Sequence, residues 1–413
     1  MPKLAIKGGK KLRKGEFHPW PVLGPQEKAA LKKVLESKSW GGFPAPNTRA
    51  REFAAKFAKY HDAQYGICCA NGTVSLEIAL RAAGVAAGDE VIVTPYSWVA
   101  SAATPVYVNA VPVFVDIDPD TYCLNAGKIE EAVTGRTRAI IPVHLGSSIA
   151  DMDKIMEIAG KHNLIVIEDC AHMHGAKWNG KGVGSIGHFG SFSFQSSKLM
   201  TAGEGGIIIT NNKDFEEKCQ SLTNCGRKET GYNNFDGELF GWNYRITEWQ
   251  AAVLTAQLGR FKQQTKTREK NKEYLAKRIR EIKGITLLKR DPRITTPSGV
   301  QFIFKYNPDG FKGLSRDQFT SALEEEGIPL GGYSYAPIYR SPLFPLRARD
   351  YPEIRGRYGE VVDPDKVACP VVEKAAFEEA VWLQHRLFLG TKKDMDDIAD
   401  AIIKIQENVE EIL

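Results

Sequence analysis

The sequence predicts an α/β protein: a mainly parallel, seven-stranded sheet in a large domain, followed by a smaller α+β domain. Three observations predict it. Seven short runs of mostly β-branched and aromatic residues stand at 65–69, 90–93, 111–115, 139–143, 164–168, 189–194 and 206–210. Helical stretches fit between many of them, at 74–83, 128–133 and 151–162. Strand–helix alternation at this spacing argues for parallel strands covered on both faces. A long helical stretch at 247–282 turns heavily charged after Lys262 and reads as a connector out of the sheet region. The expected division is 1–262 for an N-terminal arm with the large domain, and 263–413 for the small one.

Taken in order, residues 1–24 form an arm punctuated by Gly and Pro. Pro25 opens a helix with Ala29, Ala30, Leu31, Val34 and Leu35 on one face, proline being well suited to a first helical turn. A loop at 39–44 precedes a helix in which Phe53 and Phe57 lie one turn apart. Beyond the connector, strands are expected at 284–288 and 301–306, and helices at 316–326 and 393–413. The segment 333–345, YSYAPIYRSPLFP, is too rich in proline for regular helix. There is no fixed-period repeat and no low-complexity tract.

At 413 residues the chain is long enough for two domains. Its 25% charged and 43% hydrophobic residues are ordinary for a soluble globular enzyme. A net charge of +5, with its densest basic run only from Lys7 to Lys14, argues against a nucleic-acid partner. No apolar run reaches the roughly 18 residues that span a bilayer, and no apolar segment follows the N-terminal charges. A cytoplasmic protein without a membrane partner is therefore expected. The seven cysteines are odd in number and include no C-x-x-C pair, which reads as free thiols in a reducing compartment. His172-x-His174 has no second Cys/His pair at a zinc-site spacing, so no metal is expected.

The chemistry falls at strand exits, where open α/β sheets bind ligands. Strand 65–69 runs into Ala70-Asn71-Gly72-Thr73 and then a helix. Gly72 permits close backbone approach, and the amides with the Thr73 hydroxyl make an anion seat; an ordinary helix cap by Asn71 or Thr73 is the alternative. Strand 90–93 leads to Trp98, whose flat face suits either stacking on a ring or core packing. Strand 164–168 ends in Asp169, a carboxylate suited to a metal, a base, an ion pair or a protonated pyridine nitrogen. Strand 189–194 breaks into Gln195-Ser196-Ser197-Lys198, five residues after Ser193, ahead of glycines at 203, 205 and 206. A lysine desolvated on such a turn suits a Schiff base. Pyridoxal phosphate needs these four parts together: an amine, a carboxylate for its ring nitrogen, an amide-rich phosphate seat and an aromatic plane. One decoy is set aside. Gly182-Val183-Gly184-Ser185-Ile186-Gly187 matches G-x-G-x-x-G but precedes a strand instead of opening a helix, so it fails as a dinucleotide fingerprint.

The runs from Glu168 to Ala176 (EDCAHMHGA) and Ser191 to Gly206 (SFSFQSSKLMTAGEGG) resemble the DegT/StrS family of pyridoxal-phosphate sugar aminotransferases. So do Asn71-Gly72-Thr73, the 143–153 segment and Gly241 to Glu248 (GWNYRITE). The resemblance implies an aspartate-aminotransferase-like, type I fold. It implies that Lys198 forms the Schiff base, that Asp169 pairs with the pyridinium, and that His172 lies near the ring hydroxyl. It further implies that Trp98 stacks on the ring, and that Gly72, Thr73 and Ser193 bind the phosphate. Asn243 would reach that phosphate from a partner subunit, making a homodimer with shared active sites the expectation. Gly146-Ser147-Ser148 and His188 depart from the residues many relatives carry there; the first is expected to alter a substrate-side contact, the second to be structural.

A lysine, where family members that remove a hydroxyl have histidine, argues for transamination: ping-pong transfer from glutamine or glutamate to a keto-sugar or keto-cyclitol. The motif forms look most like the branch acting on scyllo-inosose. The alternatives are a 3-amino-5-hydroxybenzoate synthase-like enzyme, an enzyme of nucleotide-linked keto-sugars, and a cofactor-binding regulator, for which no spare DNA-binding segment is evident. Arg245, Tyr335, Arg340, His385 and Arg386 are candidate donor or acceptor contacts.

Overall fold

The computed structural model describes residues 3–43, 46–229, 235, 237–330, 335–347, 349–359 and 363–413. Seven strands make the principal sheet: β1 (Tyr65–Cys69), β2 (Glu90–Val93), β3 (Val111–Phe114), β4 (Thr137–Ile141), β5 (Ile165–Asp169), β6 (Phe189–Ser193) and β7 (Gly206–Thr210). Their order across the sheet is β1-β7-β6-β5-β4-β2-β3. The strands β3, β2, β4, β5 and β6 run parallel to one another. β7 alone is reversed, antiparallel to both β6 and β1. The reversal has a local cause: β6 and β7 are joined by the Lys198 loop, which carries no crossover helix, so the chain turns back at the edge where β6 ends.

This reversal gathers three strand ends at one edge. Cys69 at the end of β1 pairs with Gly206 at the start of β7, and Gly206 pairs with Ser193 at the end of β6. Next door, Asp169 ends β5 opposite Ser191. β4 begins and ends two residues before its expected span, and β5 starts and ends one later, which makes Asp169 the last strand residue instead of the first loop residue.

Several elements escaped the sequence reading, among them two helices, a C-terminal strand and the small sheet of Lys177–Trp178, Lys181–Gly182 and Ile294–Thr296. The helix Ala100–Tyr107 is short, built mostly of small residues and interrupted by Pro105, so it carries no amphipathic period. The helix Lys213–Thr223 also escaped, although Asn212 caps it and Asp214 and Glu216 stand in its first turn, as did the strand Ala380–Gln384. That last strand is one edge of a second, antiparallel sheet with Ile285–Leu287 and Gln301–Tyr306, the last of which lies between the other two. The helices Arg316–Glu325 and Lys392–Glu407 cover it with Phe319, Ile398 and Ile402. The expected helix at 393–413 ends at Glu407 and finishes in a 3-10 turn at Val409–Glu411.

There are two hydrophobic cores, and the 32-residue helix Glu248–Ile279 serves both. Leu254 and Phe261 enter the sheet core; Leu275 and Ile279 enter the second, together with Leu4 and Phe17 of the arm. All seven cysteines are free, and only Cys225 is exposed. No helix of the described residues is long and apolar enough to cross a membrane. In the proline-rich segment, Tyr333 and Ser334 lie outside the described residues, and Ile338–Arg340 is one 3-10 turn.

Candidate active site

A cavity of about 930 Å3 opens at the edge where β5 and β6 end. Gly72, Thr73, Trp98, Asp169, His172, Ser193 and Lys198 all line it. The helix Gly72–Ala82 starts here. Asn71 does cap it, accepting the Val74 amide through its side chain (3.0 Å) and the Ser75 amide through its carbonyl (3.2 Å). The cap leaves Gly72 and Thr73 as the residues at the cavity wall. A Cβ on Gly72 would lie 2.6 Å from the Ser193 Cβ, so only glycine lets the helix start rest on the end of β6. Its amides and the positive helix end form a seat for an anion.

Asp169 is buried. Its carboxylate accepts from the Ser101 hydroxyl (2.8 Å) and the Ala171 amide (3.2 Å). Burial raises its pKa, with the Ser101 and Ala171 bonds and then the Lys198 charge pulling the other way. Among the described residues it makes hydrogen bonds but no ion pair. A buried carboxylate lining a cavity without a cation of its own suits a protonated ring nitrogen. Ser101 is a site residue that sequence reading missed; it sits on the unforeseen Ala100–Tyr107 helix and is itself held by Ser97 (2.9 Å).

Lys198 rides on a turn closed by its own amide bonding to the Gln195 carbonyl (2.9 Å). Two side chains hold the carbonyls beside it: Trp20 Nε1 donates to Ser196 (2.8 Å), and His385 Nε2 lies 3.2 Å from the Ser197 carbonyl. Burial pushes the Lys198 amine down to about 8, with the Asp169 charge opposing. At neutral pH an appreciable fraction is then the nucleophilic free amine. Trp20 was also missed, because an arm residue gives no sequence signal of reaching a site so far along the chain.

His172 receives the Gly146 amide on Nδ1 (3.3 Å), which assigns the ring proton to Nε2, 3.4 Å from the Tyr335 hydroxyl. Burial first, then Lys198 and His174, hold its pKa well below the ordinary value. His172 is a neutral donor. The Gly146-Ser147-Ser148 departure thus supports His172 through a backbone amide. Ser147 also bonds to the Gln301 carbonyl and accepts from Lys272 Nζ (3.0 Å), joining the sheet to the second core. His188 accepts the Val166 amide on Nδ1 (3.0 Å) and holds β5.

Trp98 is 49% exposed, its ring at the cavity wall and not in the core. Asn243 does not line the cavity. It is exposed, bridged to Asn224, in a segment tied to β1 by the Ala70 amide donating to the Tyr244 carbonyl (2.8 Å). Of the candidate substrate contacts, Tyr335, His385 and Arg386 line the cavity. Arg245 is bound to Asn224 (2.9 Å), and Arg340 is paired with Glu373 and Asp365; neither lines it.

A lysine in this setting calls for a carbonyl partner that also brings a basic ring to Asp169 and a phosphate to the Gly72 amides. The frame that presents it is the type I α/β fold, and the chain is a pyridoxal-phosphate-dependent aminotransferase. Residues 21–404 match the DegT/DnrJ/EryC1/StrS aminotransferase family, and the chain belongs to it. It is 45% identical over 408 residues, 98% of each chain, to a putative L-glutamine:3-amino-2,3-dideoxy-scyllo-inosose aminotransferase of Micromonospora echinospora. It is 38% identical, over 97% of each chain, to an L-glutamine:2-deoxy-scyllo-inosose aminotransferase of Streptomyces fradiae. Among solved structures, 3-amino-5-hydroxybenzoic acid synthase superposes with a TM-score of 0.83 at 31% identity, covering 97% of this chain and all of that one.

Proposed function

We propose that this chain moves the amino group of L-glutamine onto a keto-cyclitol by a ping-pong mechanism, and that the acceptor already carries an amine. The carrying observation is the Lys198 turn facing Asp169 across a cavity with room for both the cofactor and a cyclitol ring. Higher identity to the relative named for an amino-dideoxy-scyllo-inosose (45%) than to the one named for 2-deoxy-scyllo-inosose (38%) favours the aminated acceptor.

When bound, pyridoxal phosphate supplies the aldehyde that carries the amino group and a ring that withdraws electrons. The residues assigned to hold it are Gly72, Thr73 and Ser193 at the phosphate, Asp169 at the ring nitrogen, Trp98 on the ring face and His172 Nε2–H at the ring hydroxyl. Lys198 Nζ, free once a donor has displaced it, takes the proton from the donor Cα. Its depressed pKa places the neutral base near the working pH. Asp169, positioned by the Ser101 hydroxyl and the Ala171 amide, would accept from the ring nitrogen and hold it protonated.

A homodimer belongs to this reading. Asn243 stands exposed outside its own cavity, directly after exposed Phe240 and Trp242, which supports its serving a partner's phosphate seat. Two domains also belong to this reading, the long helix passing from one core to the other beyond residue 262, although Leu4 and Phe17 of the arm join the second core and Ile338 and Trp382 return to the sheet core.

The test is a pair of half-reactions on purified holoenzyme. Glutamine alone should bleach the aldehyde chromophore, and 3-amino-2,3-dideoxy-scyllo-inosose should restore it faster than the non-aminated ketone. Bleaching by glutamine with no restoration by any keto-cyclitol would overturn the acceptor; no bleaching would overturn the donor.

A further inference from the structure

Behind the Lys198 turn lies a buried cluster that the chemistry above does not use. Arg268, on the face of the Glu248–Ile279 helix turned inward, is 1% exposed, and none of its three guanidinium nitrogens has a hydrogen-bond partner. One turn earlier on the same face, the Thr265 hydroxyl is also unpartnered. His174 sits against the Ser193 carbonyl off hydrogen-bond geometry, and neither ring nitrogen finds a partner. The nearest compensation for Arg268 is the Trp20 ring, 5.6 Å from its Cζ. Trp20 in turn stands edge-on to His385, with ring centroids 4.5 Å apart.

The charge balance is as one-sided as the hydrogen bonding. Burial lowers Arg268 to about 9, still charged at neutral pH, and its neighbouring acid, Glu269, is engaged by Lys272 at 2.9 Å. Burial first, and then cations including Arg268, hold His174 and His385 well below their ordinary values, so both rings are neutral. A buried guanidinium is retained in proteins when a counter-charge and acceptors meet it. Most of the orphaned groups here are donors: the five guanidinium N–H bonds, the Thr265 hydroxyl and one His174 N–H. The second nitrogen of the neutral His174 ring is an acceptor, and so is the unpartnered Nδ1 of His385, whose proton lies on Nε2 because the Ser197 carbonyl can only accept. A water satisfies such donors but leaves the charge unbalanced, whereas a small anion meets both needs. Neither a second subunit nor a substrate reaches these atoms, since each is without accessible surface. Trp20 and His385 line the main cavity while Arg268, Thr265 and His174 do not, so the cluster lies outside the active site, with the Trp20 ring against Arg268.

We propose that Arg268, Thr265 and His174 enclose a monovalent anion of halide size, chloride in ordinary buffers, directly behind the turn that carries Lys198. Half-buried Trp20 is its door, and the anion's charge steadies the two side chains that hold the Ser196 and Ser197 carbonyls.

Holoenzyme crystals soaked in bromide give the direct test. An anomalous peak is expected within hydrogen-bond distance of the Arg268 guanidinium in the wild type, to be lost in Arg268→Met. Thr265→Val, which keeps the charge, should retain the peak at reduced occupancy and covers the case in which Arg268→Met fails to fold. In solution, the wild-type Tm should rise as chloride replaces gluconate at constant ionic strength, and the Arg268→Met Tm should not. Density refining as water with no anomalous signal, or equal chloride responses in both proteins, overturns the proposal.

Discussion

Replacing Lys198 by methionine in the cofactor-free enzyme isolates the electrostatic strain built into the site. Burial holds the amine at about 8, against 10.5 for an ordinary lysine. The folded chain therefore releases this proton more readily than the unfolded chain does. Below pH 8 the lysine is protonated in both states, and folding bears the full penalty of burying the charge. Between pH 8 and 10.5 the penalty shrinks, and above 10.5 it is gone. A gap of about 2.5 pH units at ~1.36 kcal/mol each comes to ~3 kcal/mol. Methionine fills a similar volume without the charge, so the Lys198→Met apoenzyme should be about 3 kcal/mol more stable than wild-type apoenzyme at pH 7. The advantage should fade towards zero by pH 10.5. Urea unfolding of both apoproteins at equal protein concentration measures it. Equal stabilities at pH 7, or an advantage unchanged at pH 10.5, would refute the assignment of a desolvated, positively strained amine.

Three further outcomes follow from named contacts. Gly72→Ala places a Cβ 2.6 Å from the Ser193 Cβ; overpacking of ~1–3 kcal/mol at the helix start should weaken pyridoxal-phosphate affinity by roughly tenfold or more, read by absorbance titration. Lys198→Ala and Asn243→Ala proteins, each inactive alone, should regain activity when their subunits are mixed, because one hybrid site is then wholly wild type; no recovery from verified hybrids would sink the shared-site reading. Glu168→Ala should lower stability by about 3 kcal/mol or more, since it strips acceptors from several buried groups at once, while any folded fraction keeps the cofactor spectrum because the residue does not line the cavity.

The parts of the site that were legible in the sequence are those whose chemistry is written in one residue beside a local structural break. Lys198 after a strand, Asp169 at a strand end and Gly72 opening a helix each carry their own signal, and the register of β1, β7, β6 and β5 brings them to one edge. What stayed hidden depends on contacts between distant segments. Ser101 meets Asp169 across 68 positions, and Trp20 meets Ser196 across 176; no periodicity or turn chemistry encodes either. The reversed β7 was likewise hidden, because a strand's direction is set by its connection and not by its composition. Arg245 and Arg340 lie outside this subunit's own cavity. Both are arginines in suggestive motifs, but each is satisfied elsewhere by Asn224 or by Glu373 and Asp365.

The glycine-rich decoy makes the same point from the other side. The loop Gly182–Gly187 fails every contextual test for a dinucleotide, yet it does what glycine-rich loops do. The amides of Gly184 (2.8 Å), Ile186 (2.8 Å) and Gly187 (2.6 Å) all donate to the buried Glu168 carboxylate. His144 completes the cradle from Nε2 at 3.0 Å, and its Nδ1 accepts the Ala150 amide at 3.2 Å, which fixes that tautomer. Glu168 and Asp169 are adjacent on β5, and successive strand residues point to opposite faces. One carboxylate is thus saturated by the protein's own amides on one face, while its neighbour is left without a cation at the cavity on the other. The motif signalled an anion correctly; the anion is the chain's own side chain. By fixing Glu168 the loop anchors the end of β5 from the face away from the cofactor, a role in stability and not in cofactor contact.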